Sequence, residues 1–285
     1  ISPQAVGKWE RGESIPDIVT INRLAEILGL DLNYFSDSPQ PVSEEQSLMV
    51  KADNNGGDTE QIAQKENDTE ERQLLTNFSG GDLFKSDFAG IIAHKRKFNG
   101  SALCSSNFAN ADLSGSLFLG SDIREANFDG ANLTDCILSA NDLGEASFKK
   151  TILTRTVFST SGLAGARFIN AELINAKLTK TDLRKTIFEG CTFKGVDFKY
   201  SDLREVNLDG QTFIDVKFDK TALNEATFNG SILRNVSFRP SFALTNKYHR
   251  AIKSIHFDGA TMDKLTFAEL KGMGADLSKV TTISQ

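Results

Sequence analysis

Residues 101–138 read SALCS SNFAN ADLSG SLFLG SDIRE ANFDG ANLTD CIL when broken into fives. The third residue of each block, Leu103, Phe108, Leu113, Phe118, Ile123, Phe128 and Leu133, is large and apolar, and Leu138 follows. This frame runs unbroken to Phe238 and reaches back through Phe98, Phe88, Leu83 and Phe78, with Ala93 as its one gap. Two residues before each large position stands a small one, as in Ala131-Asn132-Leu133 and Ala171-Glu172-Leu173. Neither the helical period of 3.6 nor the strand period of 2 produces fives. A short strand that buries residues i−2 and i, exposes the other three and then turns a corner does. Wound repeatedly, such a chain stacks equivalent positions one coil above another at about 4.8 Å, the spacing of hydrogen-bonded strands.

The number of sides is also legible. Leu103, Ile123, Leu143, Leu163, Leu183, Leu203 and Leu223 lie twenty apart and are all aliphatic. Phe108, Phe128, Phe148, Phe168 and Phe188 are all aromatic, and Phe228 continues them after Leu208. An alternation of Leu and Phe alone fits a period of ten. The outer residues decide for twenty, because Asp122-Ile123-Arg124, Asp182-Leu183-Arg184 and Asp202-Leu203-Arg204 recur at multiples of it. So do Gly130, Gly190, Gly210 and Gly230, placed where a corner needs φ > 0. Four strands of five residues per coil are expected.

The motifs Ala111-Asp112-Leu113-Ser114-Gly115 and Ala131-Asn132-Leu133-Thr134-Asp135 resemble the pentapeptide-repeat family over residues 76–238. That resemblance implies a mainly β chain folded as a right-handed, four-sided parallel β-helix. Phe78 to Phe238 makes about eight coils and a rod on the order of 40 Å long, whose ends need capping.

Residues 1–35 read as helical. Ser2-Pro3 supplies an N-cap and a first-turn proline, Gly12 a stop. Pro16-Asp17 opens a second helix whose apolar positions Ile18, Ile21, Leu24, Ala25 and Leu28 follow helical spacing up to Gly29. The string from Ile1 to Gly12, with Pro16 and Leu24-Ala25, resembles the second half of a Cro/repressor-type (XRE) helix-turn-helix domain: a recognition helix and the helix after it. The resemblance implies that Ser2, Gln4, Ala5 and Lys8 face the major groove, that Val6 and Trp9 pack inward, and that Arg11 approaches phosphate. The side-chain chemistry agrees, since a Gln amide pairs with a base edge and Lys suits guanine or phosphate. Two helices normally precede this segment. The chain begins at Ile1 rather than Met and is read as N-terminally truncated or processed.

Charge divides the chain. Residues 1–75 carry 6 Lys/Arg against 15 Asp/Glu, and residues 76–285 carry 26 against 23. Ten of the acids fall in residues 36–75, which lack apolar periodicity and read as an acidic flexible linker. Asp53–Asp58 has a superficial likeness to a calcium loop, but no closing Glu stands at the right distance. His94-Lys95-Arg96-Lys97, beside the gap at Ala93, predicts an excursion from the second coil. After Phe238 the frame breaks and resumes at Phe257 and Met262. A basic helix or loop is expected between them, then a helix from Asp263 to Lys271 stopped by Gly272, and a last repeat-like Ala275-Asp276-Leu277. Residues 239–285 are thus read as a C-terminal cap, with a dimer surface around Leu265, Phe267 and Leu270.

Phosphate-loop, dinucleotide and Cys-x-x-Cys motifs are missing, and the three histidines have no ligand cluster beside them. No enzyme, cofactor or metal is expected. Cys136 and Cys191 occupy small inward positions and read as packing residues, with the cytoplasm as default compartment. No run of 18 apolar residues or signal-like leader is seen, so no membrane association is expected. The function expected is a bacterial-type, sequence-specific transcription regulator. Its partners are double-stranded DNA, bound when the preceding helices are present, and a second copy of the chain. A protein partner would sit on the β-helix. The alternative is a non-enzymatic scaffold that binds a topoisomerase or another protein. DNA mimicry, which the family resemblance also implies, wants an acidic rod, and the balance of residues 76–285 is against it.

Overall fold

The structure, a computed structural model, describes residues 77–240 and 246–283. From Phe78 on, the chain winds as a four-sided parallel β-helix of about eight coils. Each side pairs with its equivalent twenty residues later, as in Asp82 with Ala102, Ala102 with Asp122 and Asp122 with Asp142. The first side carries Leu103, the second Phe108, the third Leu113 and the fourth Phe118. Where pairing is most regular the sides become three-residue strands. On the fourth side these are β1 (Leu117–Leu119) and β2 (Ile137–Ser139). On the second they are β3 (Arg167–Ile169) and β5 (Ile187–Glu189). The third side holds β4 (Glu172–Ile174), β6 (Thr192–Lys194), β7 (Thr212–Ile214), β8 (Ile232–Arg234), β9 (Thr261–Asp263) and β10 (Thr281–Ile283), a continuous parallel sheet.

One coil shows how the backbone is satisfied. Leu103 N–H donates to Asp122 C=O at 2.7 Å, and Asp122 N–H donates back to Ser101 C=O at 3.1 Å. The corner closes when Ser106 N–H donates to Leu103 C=O at 3.1 Å. The residue before that donor, Ser105, has φ 57°, the left-handed conformation required at the third position of a type II turn. Every corner from Gly80 to Asn235 repeats the left-handed φ, and 21 of those corner residues are not glycine. Ladder bonds above and below each corner hold it, so even Lys, Glu and Tyr adopt a conformation that costs a side-chain-bearing residue about 1–2 kcal/mol. Ala140 (φ 57°, exposed) stands in the column that Gly80, Gly100 and Gly120 begin. Ala140→Gly is therefore expected to raise the thermal midpoint by about 1–3 °C, the left-handed strain removed outweighing glycine's larger unfolded entropy. Calorimetry checks it.

Inward, the small i−2 residues do more than fit. Ser106 Oγ donates to Leu83 C=O at 2.7 Å, Thr156 Oγ1 to Leu133 C=O at 2.8 Å and Thr186 Oγ1 to Leu163 C=O at 2.8 Å. Each hydroxyl thus reaches one coil back to a corner carbonyl and is buried without an unmet donor. The rings form columns. Phe108 stacks on Phe88 at 4.8 Å and on Phe128 at 5.0 Å, while Phe98 and Phe118 meet it edge-on at 5.8 and 6.0 Å.

The coil does not leave its path at Ala93. Ala93 is buried, its N–H donates to Asp112 C=O at 2.7 Å, and Ile92 and Lys97 pair with Asp112 and Leu117. The expected excursion is absent because ladder bonds follow backbone register, which a small core residue leaves intact. His94, Lys95 and Lys97 simply occupy outward slots.

Among the described residues past Phe238, the second and third sides continue and the other two do not. Phe257 stacks on Phe228 at 5.4 Å, β9 pairs with β8, and β10 pairs with β9. Helices stand where the remaining strands would be: α1 (Asn246–Lys253) and α2 (Lys264–Met273). Side chains from this region replace the missing carbonyls. Glu225 N–H donates to Ser254 Oγ at 3.1 Å, Asn235 N–H to Asp263 Oδ2 at 2.7 Å, and Phe238 N–H to Glu269 Oε1 at 3.0 Å. His249 Nδ1 donates to Met273 C=O at 2.9 Å and ties α1 to α2. Helix α2 runs through Gly272 and ends at Gly274, whose φ of 86° makes the left-handed cap. The expected stop at Gly272 is two residues early because Met273 is buried and holds the last turn down. Leu270 is fully buried and unavailable to a dimer, whereas Leu265 is exposed.

One rung of the rod is open. On the second side, Ile187 and Asn207 do not pair, although the three other sides of the same two coils do (Lys177 with Asp197, Asp182 with Asp202, Thr192 with Thr212). The bonds that equivalents such as Phe148 N–H to Arg167 C=O (2.8 Å) make elsewhere are lacking here. Gln211 gives the cause: it fills a slot usually held by Ala, Ser, Thr or Val. Its Oε1 accepts from Cys191 N–H at 2.9 Å, and its Nε2 donates to the Asp209 carbonyl at 3.2 Å. By register, Gly190 N–H would have used that carbonyl.

Candidate nucleic-acid interface

Ser2, Gln4, Ala5, Lys8 and Arg11 lie outside the described residues, as do the 36–75 segment and Asp53–Asp58. What the described residues show is how the rod distributes charge over its sides.

On the first side the Asp-x-Arg repeats close on themselves. Arg124, Arg184 and Arg204 each bridge the Asp two residues earlier (Asp122, Asp182, Asp202) at 2.6–2.7 Å. Arg184 also reaches Asp202 of the next coil at 3.6 Å. The guanidinium hydrogen bonds, opposed by modest desolvation, hold all three carboxyls below the usual aspartate range. The three pairs are neutral and half-exposed, a weak strap between coils rather than a free binding surface.

The thiols behave like the hydroxyls. Cys136 Sγ donates to Leu113 C=O at 2.9 Å and Cys191 Sγ to Phe168 C=O at 3.2 Å. Burial pushes them up to about 12 and about 11, so both are protonated packing groups. His94 pairs with Asp112 at 3.0 Å on the surface. Among the described residues no group of three or more His, Cys, Asp or Glu is placed to hold a metal. No helix among them is long and apolar enough to cross a bilayer.

The fourth side differs. Lys177, Lys180, Lys199, Lys217, Lys220 and Arg239 project from its last coils. At its corner stands Tyr200 (φ 66°), whose hydroxyl accepts from Lys220 Nζ at 3.0 Å. The ammonium groups of Lys220 and Lys199 lie 5.1 and 5.5 Å from the ring centroid. The Lys220 hydrogen bond comes first among the causes that pull the Tyr200 phenol below its ordinary value. Whole-domain charge counting missed this strip, since acids on the other sides cancel it. Folding the sequence at twenty, which aligns Lys180, Tyr200 and Lys220, reveals it.

Four sides of five residues, stacked in parallel register around columns of Leu and Phe, define a repeat protein of the β-solenoid class. Pentapeptide-repeat models match residues 98–139 (pentapeptide repeats, 8 copies) and residues 131–208 and 163–242 (pentapeptide repeat region). Together they span just over half of the chain, which belongs to the pentapeptide-repeat family. A helix-turn-helix model matches residues 1–35. Solved structures with the repeat fold include HetL, involved in heterocyst differentiation regulation in Nostoc sp. strain PCC 7120. It is 19% identical with a TM-score of 0.46, over 69% of this chain and 81% of HetL. Rfr23 of Cyanothece 51142 is 23% identical (TM-score 0.32; 46% of this chain, 97% of Rfr23). Full-length QnrB1, a plasmid-mediated fluoroquinolone resistance protein, is 19% identical (TM-score 0.33; 67% of this chain, 97% of QnrB1). No curated protein matches the chain.

Proposed function

We propose that this protein is a sequence-specific, non-enzymatic transcription regulator of the cytoplasm. Residues 1–35 supply DNA recognition, residues 36–75 a linker, residues 76–238 a β-helical interaction module and residues 239–285 its cap. The observation that carries the reading is the helix-turn-helix match over residues 1–35. On this proposal, Gln4 stands in the first turn of the recognition helix and Lys8 one turn later on the same face. Ser2 and Ala5 flank them, Arg11 meets phosphate near the helix end, and Val6 and Trp9 turn inward. Domains of this kind read paired half-sites as dimers. A homodimer is therefore part of the proposal, with exposed Leu265 on α2 available to it. The near-neutral balance of residues 76–285 speaks against topoisomerase binding by DNA mimicry, which requires a dense negative surface.

Binding of the full-length protein to specific and scrambled duplexes, followed by fluorescence anisotropy, tests the reading. Gln4→Ala is expected to lose about 1–3 kcal/mol of discrimination at one base pair and to relax sequence preference there. Arg11→Ala should weaken all duplexes alike and flatten the salt dependence by about one unit of slope. If specific binding survives both changes, residues 2–11 are not a recognition helix.

A further inference from the structure

We infer that the fourth side of the rod, from Lys177 to Arg239, is a second and sequence-independent DNA contact that docks the phosphate backbone of a duplex. Six cations project there in four successive coils. The two acids on the same stretch are turned to the protein's own groups. Asp197 Oδ1 accepts from Lys199 N–H at 2.9 Å. Asp219 Oδ1 accepts from Ser237 Oγ at 2.8 Å and from Arg239 N–H at 2.9 Å. Among the described residues the ion pairs lie elsewhere, on the first-side Asp-x-Arg column and at scattered corners. Among the described residues the strip's cations have no carboxylate partner, in a chain whose net charge is −6.

Tyr200 makes the strip a built feature. It is the one aromatic among the left-handed corner residues, a conformation that bulky residues rarely adopt. The residue is 49% exposed, so packing does not explain it. What it does is hold two ammonium groups, Lys220 by hydrogen bond and ring and Lys199 by ring. Cations steadied in this way lose less freedom when they meet an anion.

The dimensions suit a duplex. Four coils at about 4.8 Å spread the cations over roughly 14 Å. Along B-DNA that length presents about four phosphates on each strand. Of the uncharged outward residues on the strip, Thr179 and Ser237 are short and the Tyr200 hydroxyl is taken by Lys220, so the contact is assigned to the phosphate backbone rather than to base edges. The choice of DNA over another polyanion rests on the helix-turn-helix reading of residues 1–35; the strip itself does not.

The test uses the full-length protein and a scrambled duplex, titrated between about 50 and 200 mM salt. The variant is Lys180→Gln/Lys199→Gln/Lys220→Gln, checked by its melting curve for an intact rod, with Arg11→Ala run in parallel. Loss of two to three phosphate contacts is expected to flatten the slope of log K against log salt by about 2–3 units. Affinity at the lowest salt should fall at least tenfold. Tyr200→Phe, which keeps the ring and drops the hydroxyl, should show a smaller loss in the same direction. An unchanged slope in the triple variant overturns the proposal, whatever Arg11→Ala does. A flattened slope in the triple variant with Arg11→Ala silent sustains the strip and sinks the phosphate role of residue 11. If the triple variant loses binding to polyglutamate but keeps its DNA slope, the strip is a protein-docking face and the DNA assignment is wrong.

Discussion

Replacing Phe108 with alanine is expected to destabilise the protein by about 3–5 kcal/mol, read as a fall in the urea midpoint. Phe108 is fully buried and sits where two ring columns interlock, stacked on Phe88 and Phe128 and met edge-on by Phe98 and Phe118. Removing the ring deletes its buried area together with four aromatic contacts, each worth about 0.5–1.5 kcal/mol beyond area. The coils around it cannot collapse into the gap, because ladder hydrogen bonds fix the side-to-side distance. Phe108→Leu should cost far less, since Leu208 fills the equivalent slot of the same side without disturbing the ring of Phe228 above it. Equal losses for the two variants would show that aromatic stacking is incidental and that only apolar volume matters here.

Asp263 carries the second large effect. It is 3% exposed and its carboxylate is surrounded by donors. Oδ1 accepts from Leu265 N–H at 2.8 Å and Thr266 N–H at 3.0 Å; Oδ2 accepts from Asn235 N–H and Thr266 Oγ1, each at 2.7 Å. One side chain thus caps α2 and closes the corner after β8 onto β9. Burial alone would push this carboxyl up, but the combined hydrogen bonds from Thr266, Asn235 and Leu265 outweigh it and hold the group below the usual aspartate value. Asp263→Ala orphans three backbone donors, while the Thr266 hydroxyl keeps the Val236 carbonyl at 3.2 Å, and should remove about 3 kcal/mol at neutral pH. The sign of the pH dependence follows from the lowered native value. The contribution is fully present above the unfolded-state value near 3.9 and is lost as pH falls through the native one. Denaturant melts of wild type and variant should therefore differ by a constant amount at neutral pH and converge in acid. A gap that stays constant down to strongly acidic pH would mean that the carboxylate's charge is not what α2 uses.

The sequence displays the winding of the rod because one physical rule, two residues in and three out, repeats without exception from Leu103 to Phe238. Its corners are less visible. Only some corner residues are glycine, yet Lys85, Glu125, Arg155 and Tyr200 adopt the same left-handed conformation, since the ladder on both sides overrides local preference. Ala93 misleads for the opposite reason: side-chain size marks the frame in the sequence, whereas backbone hydrogen bonds keep it in the fold. The cap was hardest to read. Side chains of Ser254, Asp263 and Glu269 imitate the carbonyls of an absent coil, a substitution with no period to detect. Gly272 and Gly274 offer equivalent stop signals until the burial of Met273 chooses between them. For the interface, Lys180, Tyr200 and Lys220 were in plain view but became a strip only once twenty residues was taken as the unit of charge as well as of packing.

The open rung between Ile187 and Asn207 bears on how the rod comes apart. In a solenoid each coil is stabilised by its neighbours, so the chain's cooperativity is the product of successive nearest-neighbour couplings. That coupling is weakest where a quarter of the inter-coil hydrogen bonds is missing. The coils before Thr186 and those after Asn207 therefore form two foldons joined by a seam, with opening free energies of their own. The seam crosses the lysine strip, leaving Lys177 and Lys180 in the first block and Lys217, Lys220 and Arg239 in the capped block that follows. Each can thus fluctuate, or yield under strain, without dragging the other along.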